Sequence, residues 1–430
     1  MTKIVTLVYY HSMARFFCGI EDAWKQFEPD AEFLHLAVFP SAWAYLKVHG
    51  RQTAALSWQS YLGGSLSTGG ITAATVPGPE IEAMIRFHAS DPNIKPTQTI
   101  ALRRQAQKML RACHSIVTKF DPDIAIISGD TRLPAESLIR ALKNRKTVSW
   151  YFEQGPYRTT VLDRQGVNAN CSFRRELARL EASGPPLPPR VNSARWTNKL
   201  YTLLDRIAFA QAHVTRLMPP DLLPYTLHKC PQVRYARLRS TVLLQSDPHK
   251  VVLVAMQVPE DANNIYHNPL GLDDVGLLKL VLENARPGST VVVREHPLYR
   301  RKYSQAFYAL IEASCNVVLS QASLQQDLDR SRTTVTVNSL TGLDAFAQGH
   351  RVILLGESFY DHLLGIDTLR SGVSLQTLLT RDQPPCADKP ASLLGPLIDK
   401  HFFKGHFTDV DLSFTRTIAQ QIANDSRAAQ

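Results

Sequence analysis

The chain has 430 residues, of which 44% are hydrophobic and 20% are charged, and its formal net charge is +10. This length predicts two domains, and the composition is typical of a folded globular protein, not of a disordered one. Six scattered cysteines without CxxC spacing indicate neither a zinc site nor a disulfide framework. No apolar run is long enough for a membrane-spanning helix, and Met1 leads directly into a strand pattern instead of a signal peptide. We therefore expect a cytoplasmic protein.

The first half of the chain alternates strand patterns with helical patterns. Four apolar runs predict strands, at 4–10, 31–39, 123–128 and 147–152. Residues 99–119 have helical periodicity, so this half resembles a Rossmann-like parallel sheet in its order of elements. The first strand lacks a GxGxxG fingerprint, and the glycine-rich stretch 61–70 lacks the Lys-Ser/Thr of a P-loop. Neither a dinucleotide site nor a P-loop is predicted.

Acidic and basic side chains follow the last two predicted strands of this half. Asp130 and Arg132 follow the third strand, and Glu153, Arg158 and Asp163 follow the fourth. The carboxyl ends of parallel strands meet at one edge of a sheet, where ligands bind. The three carboxylates are therefore candidates for a general base or a nucleophile. The alternative is that each one only pairs with a nearby arginine.

Residues 174–240 stand out by charge, with ten Arg and two Lys against two Glu and two Asp, an excess of eight positive charges. Within them one face of a helix is approximated by Trp196, Leu200, Leu203, Leu204, Ile207 and Ala208. Basic amphipathic helices bind anionic membrane surfaces, so this region predicts a membrane contact. The alternative is a solvated helix packed on the N-terminal domain. Nucleic acid is not expected, because no nucleic-acid-binding motif accompanies the basic patch.

The second half repeats the order strand, polar turn, helix. Strand patterns at 251–255, 290–294 and 334–338 are followed by candidate ligand-binding residues, namely Gln257, Arg294, His296, Ser339, Thr341 and Gly342. Ser339 and Thr341 stand where a helix pattern begins, and free N–H groups at a helix start bind phosphate. Arg294 and His296 would add charge-assisted donors. Taken singly, Ser339 is better explained as an N-cap and His296 as a loop histidine. Together, at three converging strand ends, the residues predict a nucleotide phosphate pocket.

Five stretches share their residues and spacing with a known family, namely Arg294-Glu-His-Pro297, Val337-Asn-Ser-Leu-Thr-Gly-Leu-Asp-Ala345, Gly349-His-Arg-Val-Ile353, Gly356-Glu-Ser-Phe-Tyr360, and Glu153-x-Gly155 followed by Arg158 and Asp163-x-x-Gly-Val-Asn168. They resemble the bacterial capsule-polysaccharide synthesis family, which includes β-Kdo transferases that use CMP-Kdo (Kdo is 3-deoxy-manno-octulosonate). Asp344 stands where family members often have Glu, and some members have Glu at the position of Asp163.

The resemblance implies an α/β fold of the GT-B-like type, with two Rossmann-like lobes facing an interlobe cleft. We expect an N-terminal lobe over 1–245 that carries the acceptor site and the carboxylates. Residues 246–405 would form the lobe that binds CMP and its sugar. A C-terminal helix within 406–430 would pack back on the N-terminal lobe.

The resemblance also implies transfer of Kdo from CMP-Kdo, in β linkage, to a lipid-linked or oligosaccharide acceptor of capsule or lipopolysaccharide, at the inner membrane. Glu153, Asp163 and Asp130 would carry the chemistry, and Arg158 or Arg132 would hold the Kdo carboxylate. No metal or other cofactor is expected, because basic side chains and a helix terminus neutralise a single phosphate. Two alternatives stay open: a transferase for another CMP-activated acid sugar, such as sialic acid, and a non-catalytic glycan-binding or assembly subunit.

Overall fold

The computed structural model describes residues 1–62, 78–91, 94–181, 194–215, 218–225, 230–242, 247–369, 373–381 and 391–428. These residues fall into two compact units. Unit 1 lies within Met1–Val167, Arg190–His228 and His401–Gln430, and unit 2 lies within Asn168–Pro189 and Lys229–Lys400.

In chain order the strands are β1 (Lys3–Val8), β2 (Glu32–Ala37), β3 (Thr53–Ala55), β4 (Ile124–Ser128), β5 (Val148–Gln154), β6 (Thr159–Asp163), β7 (Arg239–Ser240), β8 (Val251–Ala255), β9 (Thr290–Arg294), β10 (Val317–Ser320), β11 (Thr333–Thr336), β12 (Arg351–Leu354), β13 (Ile366–Thr368) and β14 (Phe403–Lys404). The α-helices are α1 (His11–Lys25), α2 (Pro40–Val48), α3 (Leu56–Leu62), α4 (Gly78–Ala89), α5 (Pro96–Phe120), α6 (Leu133–Leu142), α7 (Lys199–Thr215), α8 (Ala262–Tyr266), α9 (Asp274–Asn284), α10 (Gln305–Ala313), α11 (Leu324–Asp329), α12 (Thr341–Ala347), α13 (Leu375–Thr380), α14 (Ala391–His401) and α15 (Thr415–Ala428).

Unit 1 is built on a seven-stranded sheet with the order β14-β6-β5-β4-β1-β2-β3. Strands β1 to β5 run parallel, whereas β6 and β14 run antiparallel to their neighbours. The central strands are apolar on both faces because helices cover both faces, as in other parallel sheets. Val5 and Leu7 belong to the core on one face, and Ile4 and Val8 to the core on the other.

The C-terminal helix α15 completes the second of these cores. Its Ile418 and Ile422 are buried with Phe16 and Phe17 of α1. The two helices approach so closely that a Cβ atom on Gly19 would lie 3.2 Å from the Thr415 hydroxyl. The C-terminal residues are therefore an integral part of unit 1.

Unit 2 is built on a second seven-stranded sheet, and all its strands run parallel in the order β13-β12-β11-β8-β9-β10-β7. Val254, Val293 and Val335 lie on neighbouring strands and are fully buried in its core. Side-chain N-caps define several of its helices. Asp273, for example, accepts the N–H of Gly276 at 2.6 Å and so starts α9.

The α/β fold class with two Rossmann-like units, predicted from the sequence, is confirmed. Three local expectations differ from the structure. The segment after β5, for which no strand was predicted, forms the strand β6. The last helix begins at Thr415 and not near residue 406, where the segment predicted to carry it starts. Residues 168–181 belong to unit 2 and not to the N-terminal lobe, because Arg174 in this segment binds Asp361 with Nε–Oδ1 at 2.9 Å.

Parts of two sequence predictions lie outside the described residues. These are positions 63–70 of the glycine-rich stretch and 182–193, 216–217 and 226–229 of the basic region. Within the described ranges, no helix combines the length and the apolar character that a membrane crossing requires.

Candidate functional site

The carboxyl edge of the unit 2 sheet brings together three of the predicted ligand-binding segments. Strands β11, β8 and β9 are neighbours, with Val335, Val254 and Val293 in register. Gln257, His296 and Ser339 follow these three strands, so they lie at one edge of the sheet. This is the position at which open α/β sheets bind ligands.

Hydrogen bonds tie the three segments to one another. Gln257 Nε2 donates to Asn338 Oδ1 at 2.6 Å, and the Asn338 N–H donates to Gln257 Oε1 at 2.9 Å. The Tyr303 hydroxyl donates to the Gln257 carbonyl at 3.0 Å and accepts the N–H of His296 at 3.1 Å. Gln257 therefore positions the chain next to Ser339, while its own contact with a ligand stays a prediction.

The ring of His296 is oriented by its own loop. His296 caps the turn at Pro297–Tyr299, where its Nδ1 accepts the N–H of Leu298 at 3.3 Å. Burial lowers the pKa of His296, against the opposing effect of Asp261. A neutral ring that accepts at Nδ1 carries its proton at Nε2. At neutral pH His296 therefore offers a neutral Nε2–H donor.

Arg294 points into the fold of unit 2. Its Nη1 donates to the carbonyl of Ala322 at 2.9 Å and lies 2.6 Å from Asp327 Oδ2. The Asp327 carboxylate also accepts the hydroxyl of Ser320. This buried network links β9 to the segment after β10, so Arg294 has a structural role, and its binding to phosphate stays a prediction.

The segment before α12 also has structural contacts of its own. Ser339 Oγ accepts the N–H of Thr341 at 3.2 Å, but the N-cap position belongs to Leu340, which is already helical at φ −59°. A Cβ atom on Gly342 would come within 2.3 Å of the Tyr360 hydroxyl. Only glycine at position 342 allows this close packing against Tyr360. Ser339 caps α12 from one residue before the N-cap position. The helix has only seven residues, so its dipole adds little to any binding of phosphate.

Next to the edge strand β14 of the unit 1 sheet, β5 and β6 form an antiparallel hairpin that carries two of the predicted carboxylates. Tyr151 pairs with Asp163, and Glu153 pairs with Val161. Paired residues share a face and alternate residues along a strand share a face. Glu153 and Asp163 therefore lie on the same face of the hairpin as diagonal neighbours.

Asp163 and Asp130 hold the loop that leaves this hairpin. Asp163 is only 4% exposed, and its Oδ1 accepts the N–H groups of Gln165 at 2.7 Å and Gly166 at 3.2 Å. Asp130 Oδ2 accepts the N–H of Val167 at 3.0 Å. The two carboxylates therefore share one loop, and both have a structural role in addition to any chemistry. Glu153 is half-buried, with Oε1 2.9 Å from the N–H of the next residue.

The two arginines predicted to hold a carboxylate have different surroundings. Arg158 lies at φ +61° in the hairpin turn and forms an ion pair with Asp409. The Cζ of Arg132 lies 4.9 Å from the ring centroid of Phe87 and 5.6 Å from that of Tyr9. The guanidinium of Arg158 is thus charge-compensated within unit 1, whereas that of Arg132 is stacked among aromatic rings.

Sequence reasoning missed several buried polar residues of unit 1. Asp221 is 1% exposed, accepts the hydroxyl of Ser57 at 2.7 Å and is hydrogen-bonded to Gln105. Tyr9 and His88 lie beside Arg132. No local motif marks these residues, because their partners are far away in the chain. Within the described residues, no group of three His, Cys, Asp or Glu side chains is arranged to hold a metal ion.

Helix α7 presents an apolar stripe to solvent. Leu200, Leu203 and Ile207 are 66%, 48% and 55% exposed and recur at helical spacing on one face. Lys199 and Arg206 flank this stripe and are also exposed. The opposite face packs on α2 and its start, where the N–H of Ser41 donates to Asp205 at 2.9 Å and the ring of Tyr45 meets that of Tyr201.

Comparison with solved structures gives distant similarities. One similar structure is the β-Kdo 2,7 transferase KpsC of Thermosulfurimonas dismutans, which is 17% identical to this chain. The alignment covers 81% of this chain and 97% of that chain, and the TM-score is 0.38. The β-Kdo 2,4 transferase of the same KpsC is 15% identical, covering 64% of this chain and 79% of that chain at a TM-score of 0.35. The UDP-GlcNAc 2-epimerase of Neisseria meningitidis is 12% identical, covering 100% of both chains at a TM-score of 0.34.

The sequence is similar to a curated protein and matches a known protein family. Protein FixF of Sinorhizobium fredii (strain NBRC 101917 / NGR234) is 28% identical over 183 residues, which are 41% of this chain and 44% of FixF. The chain thus matches less than half the length of this curated relative. Residues 126–374, more than half of the chain, match the family described as capsule polysaccharide biosynthesis protein. This match includes the hairpin of unit 1 and the strand ends of unit 2, and the chain belongs to the capsule polysaccharide biosynthesis protein family.

Proposed function

We propose that the protein is a glycosyltransferase that transfers Kdo from CMP-Kdo, in β linkage, to a capsule or lipopolysaccharide glycan. Membership in the capsule polysaccharide biosynthesis family supports the pathway, and the similarity of the Arg294–Pro297 and Val337–Ala345 segments to β-Kdo transferases supports the sugar. The observation that carries the proposal is the hairpin of unit 1, which places Glu153 and Asp163 on one face. Two neighbouring carboxylates are what glycosyl chemistry uses as base and nucleophile.

In this proposal unit 2 binds the nucleotide. The Nε2–H of His296 donates to the phosphate. The hydroxyls of Ser339 and Thr341 follow β11, which β8 separates from the strand that leads to His296. Gln257 holds these segments in register through Asn338. A neutral donor suits this task, because a hydrogen bond to an ionised phosphate is strong even when the donor carries no charge.

Unit 1 supplies the chemistry. One of the two hairpin carboxylates accepts the proton of the acceptor hydroxyl, or attacks the anomeric carbon if the configuration is retained. Asp130 supports the loop that Asp163 also holds. No metal is required in this scheme, because the leaving group carries a single phosphate that hydrogen-bond donors stabilise.

We also propose that the protein is peripheral to the inner membrane on its cytoplasmic side, through α7. A stripe of exposed Leu and Ile with Lys and Arg beside it is the pattern with which helices lie on anionic lipid. Such a contact would bring the enzyme to a lipid-linked acceptor.

Incubation of the protein with CMP-Kdo and synthetic capsule or lipopolysaccharide acceptors, with products identified by mass, tests the proposed reaction. A mass increase of one Kdo residue is expected. CMP-sialic acid serves as the matched donor, and transfer of sialic acid in preference to Kdo would contradict the assigned sugar. CMP binding without turnover of any donor would instead favour a non-catalytic subunit.

A further inference from the structure

Among the described residues, two buried hydrogen-bond donors lack a partner at the carboxyl edge of the unit 1 sheet. Tyr9 directly follows β1 and is 5% exposed, and His88 lies near the end of α4 and is 1% exposed. The hydroxyl of Tyr9 and Nδ1 of His88 have no hydrogen-bond partner within the described residues. Buried polar groups are normally paired, and each exception requires a physical explanation.

Both atoms carry a hydrogen. His88 Nε2 accepts the N–H of Leu133 at 3.3 Å, so the proton of the neutral ring lies on Nδ1. Burial, together with the charge of Arg132, lowers the pKa of His88 to about 3. Burial also raises the pKa of Tyr9, so that its hydroxyl keeps its proton. The site therefore has two donors and needs an acceptor.

Arg132 adds a third donor group at the same place. It precedes α6, and its guanidinium stacks on the rings of Tyr9 and Phe87, while the ring of Phe87 lies 5.0 Å from that of His88. Strands β1 and β4, which deliver Tyr9 and Arg132, are neighbours in the sheet. A planar guanidinium matches the geometry of a carboxylate.

The nearby carboxylates have their own hydrogen bonds. The negative charges of Asp221 and Glu153 add to the effect of burial in raising the pKa of Tyr9. Asp221 accepts from Ser57 and Gln105, and Glu153 accepts the N–H of Gln154. Neither is hydrogen-bonded to the Tyr9 hydroxyl, which stays available for a ligand.

We infer that Arg132, Tyr9 and His88 form a subsite for the carboxylate of an acidic sugar. The inference rests on the proposed function, in which the transferred sugar is an acid. The carboxylate belongs either to the sugar of the donor or to a residue of the acceptor glycan, and both present the same group to these donors. Arg132 is partly exposed and meets the ligand first, and Tyr9 and His88 lie behind it.

The substitution Tyr9→Phe gives opposite effects on stability and on binding. It removes the unpaired hydroxyl and keeps the ring, so the melting temperature of the ligand-free protein should rise. The affinity for free Kdo, measured by isothermal titration calorimetry, should fall roughly tenfold or more because a hydrogen bond to a charged group is lost. Arg132→Gln should weaken the affinity by at least as much.

A matched control is Arg164→Gln. Arg164 also stacks on an aromatic ring of unit 1, with Cζ 5.0 Å from the centroid of the Trp150 ring, and its loss should leave Kdo affinity unchanged. The methyl ester of Kdo, which lacks the charge, should bind the wild-type protein at least about tenfold more weakly than Kdo. Equal binding of acid and ester, or unchanged Kdo affinity in both Tyr9→Phe and Arg132→Gln, would overturn the inference.

Kinetics then assign the source of the carboxylate. In Tyr9→Phe, a higher KM for CMP-Kdo alone assigns the subsite to the donor, and a higher KM for the glycan alone assigns it to the acceptor. Binding of CMP and binding of free Kdo are measured separately. Absence of any transfer with intact Kdo binding counts against the proposed function and leaves the subsite standing.

Discussion

Replacement of Asp163 by Asn separates the structural role of this carboxylate from its chemical role. Asp163 Oδ1 accepts two backbone N–H groups, from Gln165 and Gly166, and Asn keeps a carbonyl oxygen that can do the same. A hydrogen bond to a charged acceptor contributes about 1.5–3 kcal/mol and a neutral one about 0.5–1.5 kcal/mol. For two bonds the loss is about 2–3 kcal/mol, which lowers the melting temperature by roughly 4–12 °C for a unit of this size. The variant should therefore remain folded at 25 °C.

The rate of transfer should fall by much more than the loss of folding stability can explain. A general base typically contributes 10²–10⁴-fold to a rate, so we expect Asp163→Asn and Glu153→Gln each to lose at least about a hundredfold in transfer from CMP-Kdo. The assay is the initial rate of product formation by mass, well below the melting temperature of each variant. CMP binding should be unchanged, because the nucleotide is assigned to unit 2.

The control for this experiment is Asp123→Asn. Asp123 also accepts a backbone N–H, that of Lys3 at 2.8 Å, but at the amino end of β4. It should lose stability without losing turnover. If folded Asp163→Asn and Glu153→Gln both keep near wild-type rates, the two carboxylates are structural only, and the chemistry has to be sought at Asp130.

Three further predictions concern the nucleotide, the membrane and pH. CMP should raise the melting temperature by mass action, and His296→Ala should lower CMP affinity roughly tenfold or more by removing a donor to a charged acceptor; unchanged affinity would remove His296 from the nucleotide site. Charge reversal of Lys199 and Arg206 should release the protein from anionic vesicles at low salt, and failure of the wild type to sediment with such vesicles would refute the contact. Burial raises the pKa of Asp221 to about 6, against the hydrogen bonds from Ser57 and Gln105. Because the folded-state pKa is the higher one, this carboxyl costs stability above about pH 6, and the cost is relieved as pH falls towards 4. Asp221→Asn should therefore stabilise the protein at pH 7, by at most about 3 kcal/mol, and an equal change of stability at pH 4 and pH 7 would contradict this assignment.

The central strands were predictable from the sequence because their residues are predominantly apolar. Strands β8, β9 and β12 each contain an unbroken run of apolar residues, a pattern typical of a sheet covered on both faces. The convergence of Gln257, His296 and Ser339 follows from that prediction, because parallel neighbouring strands present their carboxyl ends at one edge. The direction in which each side chain points was not predictable: Arg294 turns inward to Asp327, 33 residues away in the chain.

The hairpin of unit 1 was missed for a different reason. Its turn uses Tyr157 at φ +54° and Arg158 at φ +61°, where turns of this kind normally carry glycine or asparagine. The start of α15 was misplaced because Phe407, Leu412 and Phe414 pack on the second core from the segment before the helix. The spacing of these three apolar residues resembles the pattern of a helix, although the chain before Thr415 is irregular.

The ion pair between Arg158 and Asp409 provides a test of which arginine would hold a substrate carboxylate. The two side chains are 21% and 13% exposed, and Asp409 also accepts the N–H of His406 at 2.8 Å. Loss of either partner leaves a poorly hydrated charge and lowers the free energy of unfolding. The cost should lie between the value for breaking an exposed pair, below about 1 kcal/mol, and the value for breaking a buried pair, about 3–5 kcal/mol. Arg158→Gln and Asp409→Asn should each lower the melting temperature, and the double variant should recover part of the loss because neither charge is then unpaired. We expect the double variant to bind Kdo like the wild type, because Arg158 would contribute only the ion pair with Asp409 and no contact with the substrate. If it loses Kdo affinity tenfold or more while Asp409→Asn alone retains it, Arg158 binds the carboxylate directly and shares the role that we propose for Arg132.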